Sequence, residues 1–438
     1  MYNVRPGISR KAATFLIVIL TLAIVTEVYL QESPENTTKD EDWALKITPL
    51  VSNEVTNPVV ANVRILGDSS NSTPDIVFTE PLRGIFSTAP ATTTCIQSAD
   101  CDLTTYNLSD EFHQAAPVRV SLGEINGQNQ WIVSDIGILH PSNEKLGRVV
   151  LVNQESGAVT TVIEGIGRTV CAEPGDIDGD GDLDLTLCEF GHDEGTVSWL
   201  ENEGDNWTQH ILDPRPGSIH AHPIDVDSDG DLDIVTILSQ LSEEVMLYRN
   251  DGAGNFSNES LYKSNVSYYG MSGLKTIDLD LDGDNDLVFT NGDTMDFDTP
   301  EGIDPNQLHG VAWLENDGGG NFTHHDITRN WGAYDSAFFD IGNDGDLDIV
   351  LACYQVSSQF PAETQGTQLL ILERENSTWI RHNVETTSQY RMLSIAGISE
   401  GESEISFVFG SHDPFAEGGE LHRLATLQLQ VPLHSSVS

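Results

Sequence analysis

The sequence predicts an all-β chain in which seven antiparallel blades of about four strands close into a ring, a seven-bladed β-propeller. Three observations carry this. A nine-residue acidic frame, Asp-x-Asp-x-Asp-Gly-x-x-Asp, opens at residue 176 and recurs from 225, 278 and 340. Fainter copies flank these four, so the last position of the frame falls at 75, 130, 184, 233, 286, 348 and 404, in steps of 55, 54, 49, 53, 62 and 56 residues. Each step contains short alternating, β-branched runs separated by Asn/Gly turns, enough for one blade, and seven such steps close a ring.

From the N-terminus, residues 1–11 carry Arg5, Arg10 and Lys11 ahead of an apolar run, which reads as a cytoplasmic n-region followed at 12–30 by a signal anchor or a signal peptide. The run is short for a spanning helix, yet no small-x-small cleavage site follows it. Either way the positive flank stays inside and the rest is exported: anchored at the cell surface by a single pass, or secreted or periplasmic if the segment is cut. Residues 31–42, with Pro34 and several acids, read as a flexible polar linker, 43–431 as the propeller, and 432–438 as a tail. Trp43 to Ile47 resembles the strand pattern Trp-x-x-His-x-Ile of later repeats, while the last repeat lacks that strand. Residues 43–48 are therefore expected to complete the final blade and cover two open edges.

The four full loops hold the chemistry. The first contains Asp176, Asp178, Asp180, Asp182 and Asp184; the second Asp225, Asp227, Asp229, Asp231 and Asp233; the third Asp278, Asp280, Asp282, Asp284 and Asp286; the fourth Asp340, Asp344, Asp346 and Asp348. So many carboxylates in one turn repel one another unless a hard cation sits among them, and Ca²⁺ accepts six to eight oxygens in irregular geometry. About four Ca²⁺ sites are expected. Asp176, Asp178 and Asp180 should share one side of the turn, Gly181 should permit its sharp bend, and Asp184 should close the site. Asp182 is expected to offer its backbone carbonyl and point its carboxylate to water. Gly342 stands where the fourth loop needs a ligand, so that site should be weaker.

These residues resemble the FG-GAP or VCBS repeat family, whose best-known members are the integrin α-subunit propellers. The resemblance rests on the acidic loops, on Phe190-Gly191 and Phe409-Gly410, and on the Trp-x-Glu-Asn-x-Gly turns at Trp199 and Trp313. It implies a calcium-bearing seven-bladed propeller with Ca²⁺ on the matched Asp positions. The first, second and last blades depart from the loop pattern, so no metal is carried onto them. The scaffold itself serves adhesion, lectins and a few enzymes.

Of the 438 residues, 20 are Lys or Arg and 69 Asp or Glu, a formal net charge of −49. Four Ca²⁺ would bring this only to about −41, and such a surface repels nucleic acid and anionic headgroups. Membrane association is expected through the N-terminal segment only, and the oligomeric state stays open. Export makes disulfides feasible. Cys95 and Cys101 read as a loop staple; Cys171 and Cys188 face each other across the first loop, either bridged or as two buried thiols; Cys353 is left over. His210, His325 and His382 recur at one repeat position and read as structural packing. His220 and His222 precede the second loop on what should be the innermost strand, and Arg119, Glu173 and Lys275 share the offset of His222. Together these five are candidates to ring the mouth of the central channel and bind a ligand. The longest repeat interval holds an acidic stretch from Asp293 to Leu308, read as a recognition loop or a passive insertion. Nucleophile elbows, zinc helices and phosphate loops are absent from the sequence. The reading is a calcium-stabilised binding or adhesion module for a glycan or protein ligand on one face, with no catalytic residue assigned. The alternative is a polysaccharide lyase or hydrolase at the channel mouth, whose acid pair would leave no local spacing signature.

Overall fold

The computed structural model describes residues 36–38, 44–50, 59–67, 73–97, 101–293, 303–355, 367–375, 378–384, 392–401, 404–412 and 424–430. The segment 12–30 lies outside them. Among the described residues, helix is confined to Thr93–Gln97, Pro305–Leu308 and one 3₁₀ turn, and no helix is long and apolar enough to cross a membrane.

Seven sheets form the ring, each antiparallel through its four strands. Their first strands are Asn62–Leu66, Pro117–Ile125, Thr169–Gly175, Ser218–Ile224, Met271–Ile277, Ala333–Phe339 and Met392–Gly401, in blades 1 to 7. Each loop with the full acidic frame joins the first strand of its blade to the second. The second strands Asp184–Glu189, Asp286–Asn291 and Asp348–Cys353 are buried at every position, because neighbouring blades cover both faces. That explains why they read as unbroken apolar runs.

The core lies between blades. Cys171, Ile177, Val197 and Trp199 of blade 3 pack on Ala221, Ile234, Leu238, Met246 and Tyr248 of blade 4. The same arrangement closes the circle, where Val63, Ile76 and Phe78 of blade 1 meet Val408 and Leu424 of blade 7. Blade 7 is completed by Ala44–Pro49, antiparallel to Leu424–Gln430 with Ala44 opposite Gln430 and Pro49 opposite Ala425. The expected closure from the N-terminal side is therefore present. One feature had no sequence signal: within the segment read as a linker, Thr37–Thr38 pairs in parallel with Ile380 and Arg381, adding a fifth strand to the outer edge of blade 6.

A bulge recurs near the start of the first strand. Register shifts between Pro117 and Arg119, Thr169 and Cys171, Ser218 and His220, Met271 and Gly273, Ala333 and Asp335, and Met392 and Ser394. The skipped residues are Val118, Val170, Ile219, Ser272, Tyr334 and Leu393, and all six line the central cavity. Extra residues in a strand re-aim side chains, and here they turn one ring of mostly apolar groups inward.

Candidate functional site

Each acidic loop folds on its own carboxylates. Asp180 N donates to Asp178 Oδ1 and Asp182 N to Asp180 Oδ1 in the first loop, Gly230 N to Asp225 Oδ2 in the second, and Gly283 N to Asp278 Oδ2 in the third. The sixth position is glycine with φ of 99° at Gly181, 97° at Gly230, 106° at Gly283 and 93° at Gly345, as the sharp turn requires. The fourth position is also left-handed in all four loops, at Gly179, Ser228, Leu281 and Asn343.

Carboxylate oxygens of Asp176, Asp178 and Asp184 gather within 4.8 Å of one another, as do those of Asp225, Asp227 and Asp229, and of Asp278, Asp280 and Asp282. Among the described residues no such group forms from Asp340, Asp344, Asp346 and Asp348, in keeping with Gly342 in place of a ligand. The closing aspartates do more than face the site. Asp184 accepts from Ile177 N at 2.9 Å and Asn202 N at 2.8 Å, Asp286 from Leu279 N and Asn316 N, and Asp348 from Ile341 N and Arg374 N.

The donor set fits a hard cation. Asp176, Asp225, Asp227 and Asp280 each keep a buried Oδ1 with no hydrogen-bond partner, a state that costs about 1–3 kcal/mol per atom unless a cation or water meets it. Burial pushes the carboxyls of Asp184, Asp233 and Asp286 up to about 6 and that of Asp348 up to about 8; a bound divalent ion would favour the ionised form instead. All-oxygen ligands in an irregular loop suit Ca²⁺ better than zinc or octahedral Mg²⁺.

The expectation for Asp182 needs correction. Its Oδ1 is buried, not turned to water. At the equivalent positions of the next two loops, a Cβ on Gly252 would stand 2.4 Å from Asp231 Oδ2, and one on Gly318 would stand 2.3 Å from Asp284 Oδ2. In the second and third loops the seventh-position carboxylate packs against the Asn-x-Gly turn of its own blade, and glycine leaves room for it, whereas a Cβ on Gly204 in the first would meet nothing within 4 Å.

The turns also tie the loops in series. Asn250 Nδ2 of blade 4 donates to Ile177 O in the loop of blade 3, at 2.6 Å. Asn316 Nδ2 of blade 5 reaches Val226 O in blade 4, and Arg374 Nη1 of blade 6 reaches Leu279 O in blade 5, both at 2.8 Å.

The second site is a cavity of about 750 Å³ along the first strands. It reaches from the connections between second and third strands, where Leu139, Phe190, Ser239 and Asp293 line it, to the level of His222 and Lys275. The candidate residues converge there, with a qualification. Arg119, His220, His222 and Lys275 line the cavity; Glu173 does not, lying buried behind the arginines. Glu173 accepts from Arg119 Nε at 2.7 Å, Arg64 Nη1 at 2.9 Å and Ser121 Oγ at 2.7 Å. Burial alone would raise its pKa, but the charges of Arg64 and Arg119 outweigh it and bring the carboxyl down to about 2. Arg119 Nη1 contacts His220 Nδ1 at 2.8 Å, and His220 Nε2 contacts Ser272 O at 3.1 Å. A guanidinium only donates and a carbonyl only accepts, so His220 is the neutral tautomer protonated at Nε2. His222, stacked on His220 at 5.8 Å, donates from Nε2 to Leu274 O; burial, then Arg119, lowers its pKa to about 4.

Two members were not anticipated. Arg64 lies 11 residues before Asp75, as His222 lies 11 before Asp233, so the offset that marked the others could have found it. Asp335 lies 13 before Asp348, as His220 lies 13 before Asp233. It pairs with Lys275 Nζ at 2.8 Å and accepts from Ser394 Oγ and Ile395 N of blade 7, both at 3.0 Å.

The recurrent histidines are packing devices, as expected. His210 bonds Glu201 and stacks on Trp199, His325 bonds Glu315 beside Trp313, and His382 bonds Glu373. Cys95–Cys101 and Cys171–Cys188 are disulfides, the latter between residues directly opposite in blade 3. Cys353 is a buried thiol whose pKa burial pushes up to about 12. Of the acidic stretch, Asp293 lines the cavity and Asp304 caps Pro305–Leu308, while 294–302 lies outside the described residues.

Residues 176–236 and 225–289 match the FG-GAP-like repeat, spanning the first three loops. Among solved structures the chain is similar to an ancestral GH74 enzyme, with a TM-score of 0.53, 9% identity, and coverage of 85% of this chain and 48% of that one. It thus spans about half the length of that enzyme, and the likeness is one of fold. An α-L-arabinofuranosidase from Fusarium graminearum, in complex with an iminosugar inhibitor, gives a TM-score of 0.40, 12% identity and coverage of 72% and 93%. A mitotic checkpoint complex structure gives 0.46, 11%, and 92% and 97%. No curated protein matches the chain.

Proposed function

Taking as premise that the chain is an FG-GAP-repeat β-propeller, we propose that it is an exported, calcium-stabilised binding module for a glycan or protein ligand. Calcium is structural in this reading: bound by the acidic loops, it stiffens the turn between first and second strands and, through Asn250, Asn316 and Arg374, the next blade. Export is supported by two disulfides, which persist in oxidising surroundings, and by the basic and apolar N-terminal sequence, which gives either a surface anchor or a cleaved signal. Nucleic acid is a poor partner for a chain of charge −49.

One observation favours binding over turnover. The acids of the channel cluster are already committed: Glu173 is held ionised by two arginines, and Asp335 is paired with Lys275 and hydrogen-bonded from blade 7. His222 stays neutral down to about pH 4. Glycoside cleavage needs one carboxylic acid kept protonated near neutrality beside an ionised partner, and Glu173 and Asp335 are not such a pair; Glu243, which burial pushes up to about 8 beside Asp293 at the cavity wall, is the acid that would serve the second reading. A polysaccharide-active enzyme is the second reading, favoured by the stacked His220 and His222 inside a cavity of ligand size. An oligosaccharide array in millimolar Ca²⁺ separates the two. Retention without new reducing ends or unsaturated products is expected; turnover abolished by His222→Ala would establish the enzyme instead.

A further inference from the structure

Resting on the binding-module reading, we propose that the channel takes a carboxylate-bearing ligand, an acidic sugar, held by Arg64, Arg119 and Lys275. Three cations meet two carboxylates, Glu173 and Asp335, in this cluster, which leaves one positive charge in a chain of −49. The excess is accessible. Arg64 and Lys275 line the cavity with side chains 25% and 36% exposed, while Glu173 is shut behind the arginines at 8%. A guanidinium and an ammonium at one end of a partly enclosed cavity are donors matched to a carboxylate.

Other groups fit the rest of a sugar. His222 donates from Nε2 to Leu274 O, so its neutral ring offers Nδ1 as an acceptor for a hydroxyl. The bulge residues Val118, Val170 and Ile219 supply an apolar wall for ring C–H faces. The volume of about 750 Å³ falls within the range of small-ligand sites, about 300–1,000 Å³. The acidic exterior does not forbid entry. The cavity reaches the bulge end of the first strands, and six residues separate Ile219 from Asp225, roughly 20 Å of extended chain. Charges that far apart across solvent are largely screened at a Debye length of about 8 Å.

The test uses the whole protein in millimolar Ca²⁺, with an array of uronate-containing oligosaccharides and the same oligosaccharides after carboxyl reduction to neutral sugars. At least one uronate is expected to be retained, at least tenfold more weakly after reduction. Lys275→Ala should weaken retention about tenfold or more, in line with the loss of one charge-assisted hydrogen bond. This variant keeps the fold testable, because Asp335 still accepts from Ser336 N, Ser394 Oγ and Ile395 N. Arg64→Lys should weaken retention less than Arg64→Ala, and rising salt should weaken all binding. Retention of neutral sugars alone, or of uronates undiminished in Lys275→Ala, overturns the assignment while leaving a binding module. Uronate turnover lost in Lys275→Ala overturns the binding module while leaving the channel's preference for acidic sugars. Retention of no sugar of either kind overturns the assignment and leaves the binding module only a protein ligand.

Discussion

The acidic loops and the channel cluster both crowd charge into a small volume, and they neutralise it in different ways. The loops place four or five aspartates within nine residues, far more acids than the basic side chains seen near them, such as Arg249 at 3.1 Å from Asp227. Their balance must come from solution. The channel balances itself, with Arg64 and Arg119 on Glu173 and Lys275 on Asp335. The loops are built from consecutive residues, whereas the cluster takes a member from each of blades 1 to 6 and hydrogen bonds from blade 7. Local crowding can be relieved only by something added, while long-range assembly can bring opposite charges together.

The largest expected effect tests the dependence on an external ion. In EGTA the protein should melt well below its midpoint in millimolar Ca²⁺, since each site filled at a thousandfold excess over Kd adds about 4 kcal/mol. Coincident melting curves would break the comparison. Next, Glu173→Ala should cost about 3 kcal/mol by leaving the partly buried Arg119 and Arg64 without their shared carboxylate, and the loss should be similar with and without Ca²⁺. A loss appearing only in Ca²⁺ would couple the regions that the comparison separates.

The two regions also respond oppositely to acid. Without metal, Asp184, Asp233 and Asp286 titrate at about 6 in the folded chain, above their unfolded value near 3.9. The native state then binds more protons, so these groups cost stability as pH rises from about 4 to 6. Protons and Ca²⁺ compete for the same oxygens, so the gap between Ca²⁺ and EGTA melting points should shrink from pH 7 to pH 5. His222 is depressed to about 4 from near 6.5, so its contribution is full above the unfolded value and is lost as pH falls from about 6.5 to 4. His222→Gln should flatten the acid limb of the stability curve in Ca²⁺, measured by denaturant midpoints between pH 4 and 7.

Two smaller effects sharpen the ranking among loops. Asp278→Ala should lower calcium stoichiometry by one, by equilibrium dialysis, and Asp344→Ala by less, because the fourth loop gathers no comparable oxygen group. Leu281 holds a φ of 61° where the other loops have Gly, Ser or Asn. Leu281→Gly should raise the unfolding free energy by about 1 kcal/mol, measured by denaturant titration, by removing the left-handed strain of a side chain.

The sequence alone determined the blade count, the four loops and the closing strand. Each depends on short-range spacing: Gly181 at the sixth position, Trp199 to Gly204 as a turn, Trp43 to Ile47 as a strand without a preceding repeat. Asp182 was misread because the burial of its carboxylate oxygen is a matter of tertiary packing, not of loop spacing. Tertiary structure decided the channel. Arg64 and Asp335 stand far apart in the chain, and apart from their repeat offset nothing local distinguishes either from a solvated charge; only closure of the ring brings them into one cluster. Metal loops are legible because one turn supplies all their ligands, whereas a site with one residue per blade exists only once seven blades have met.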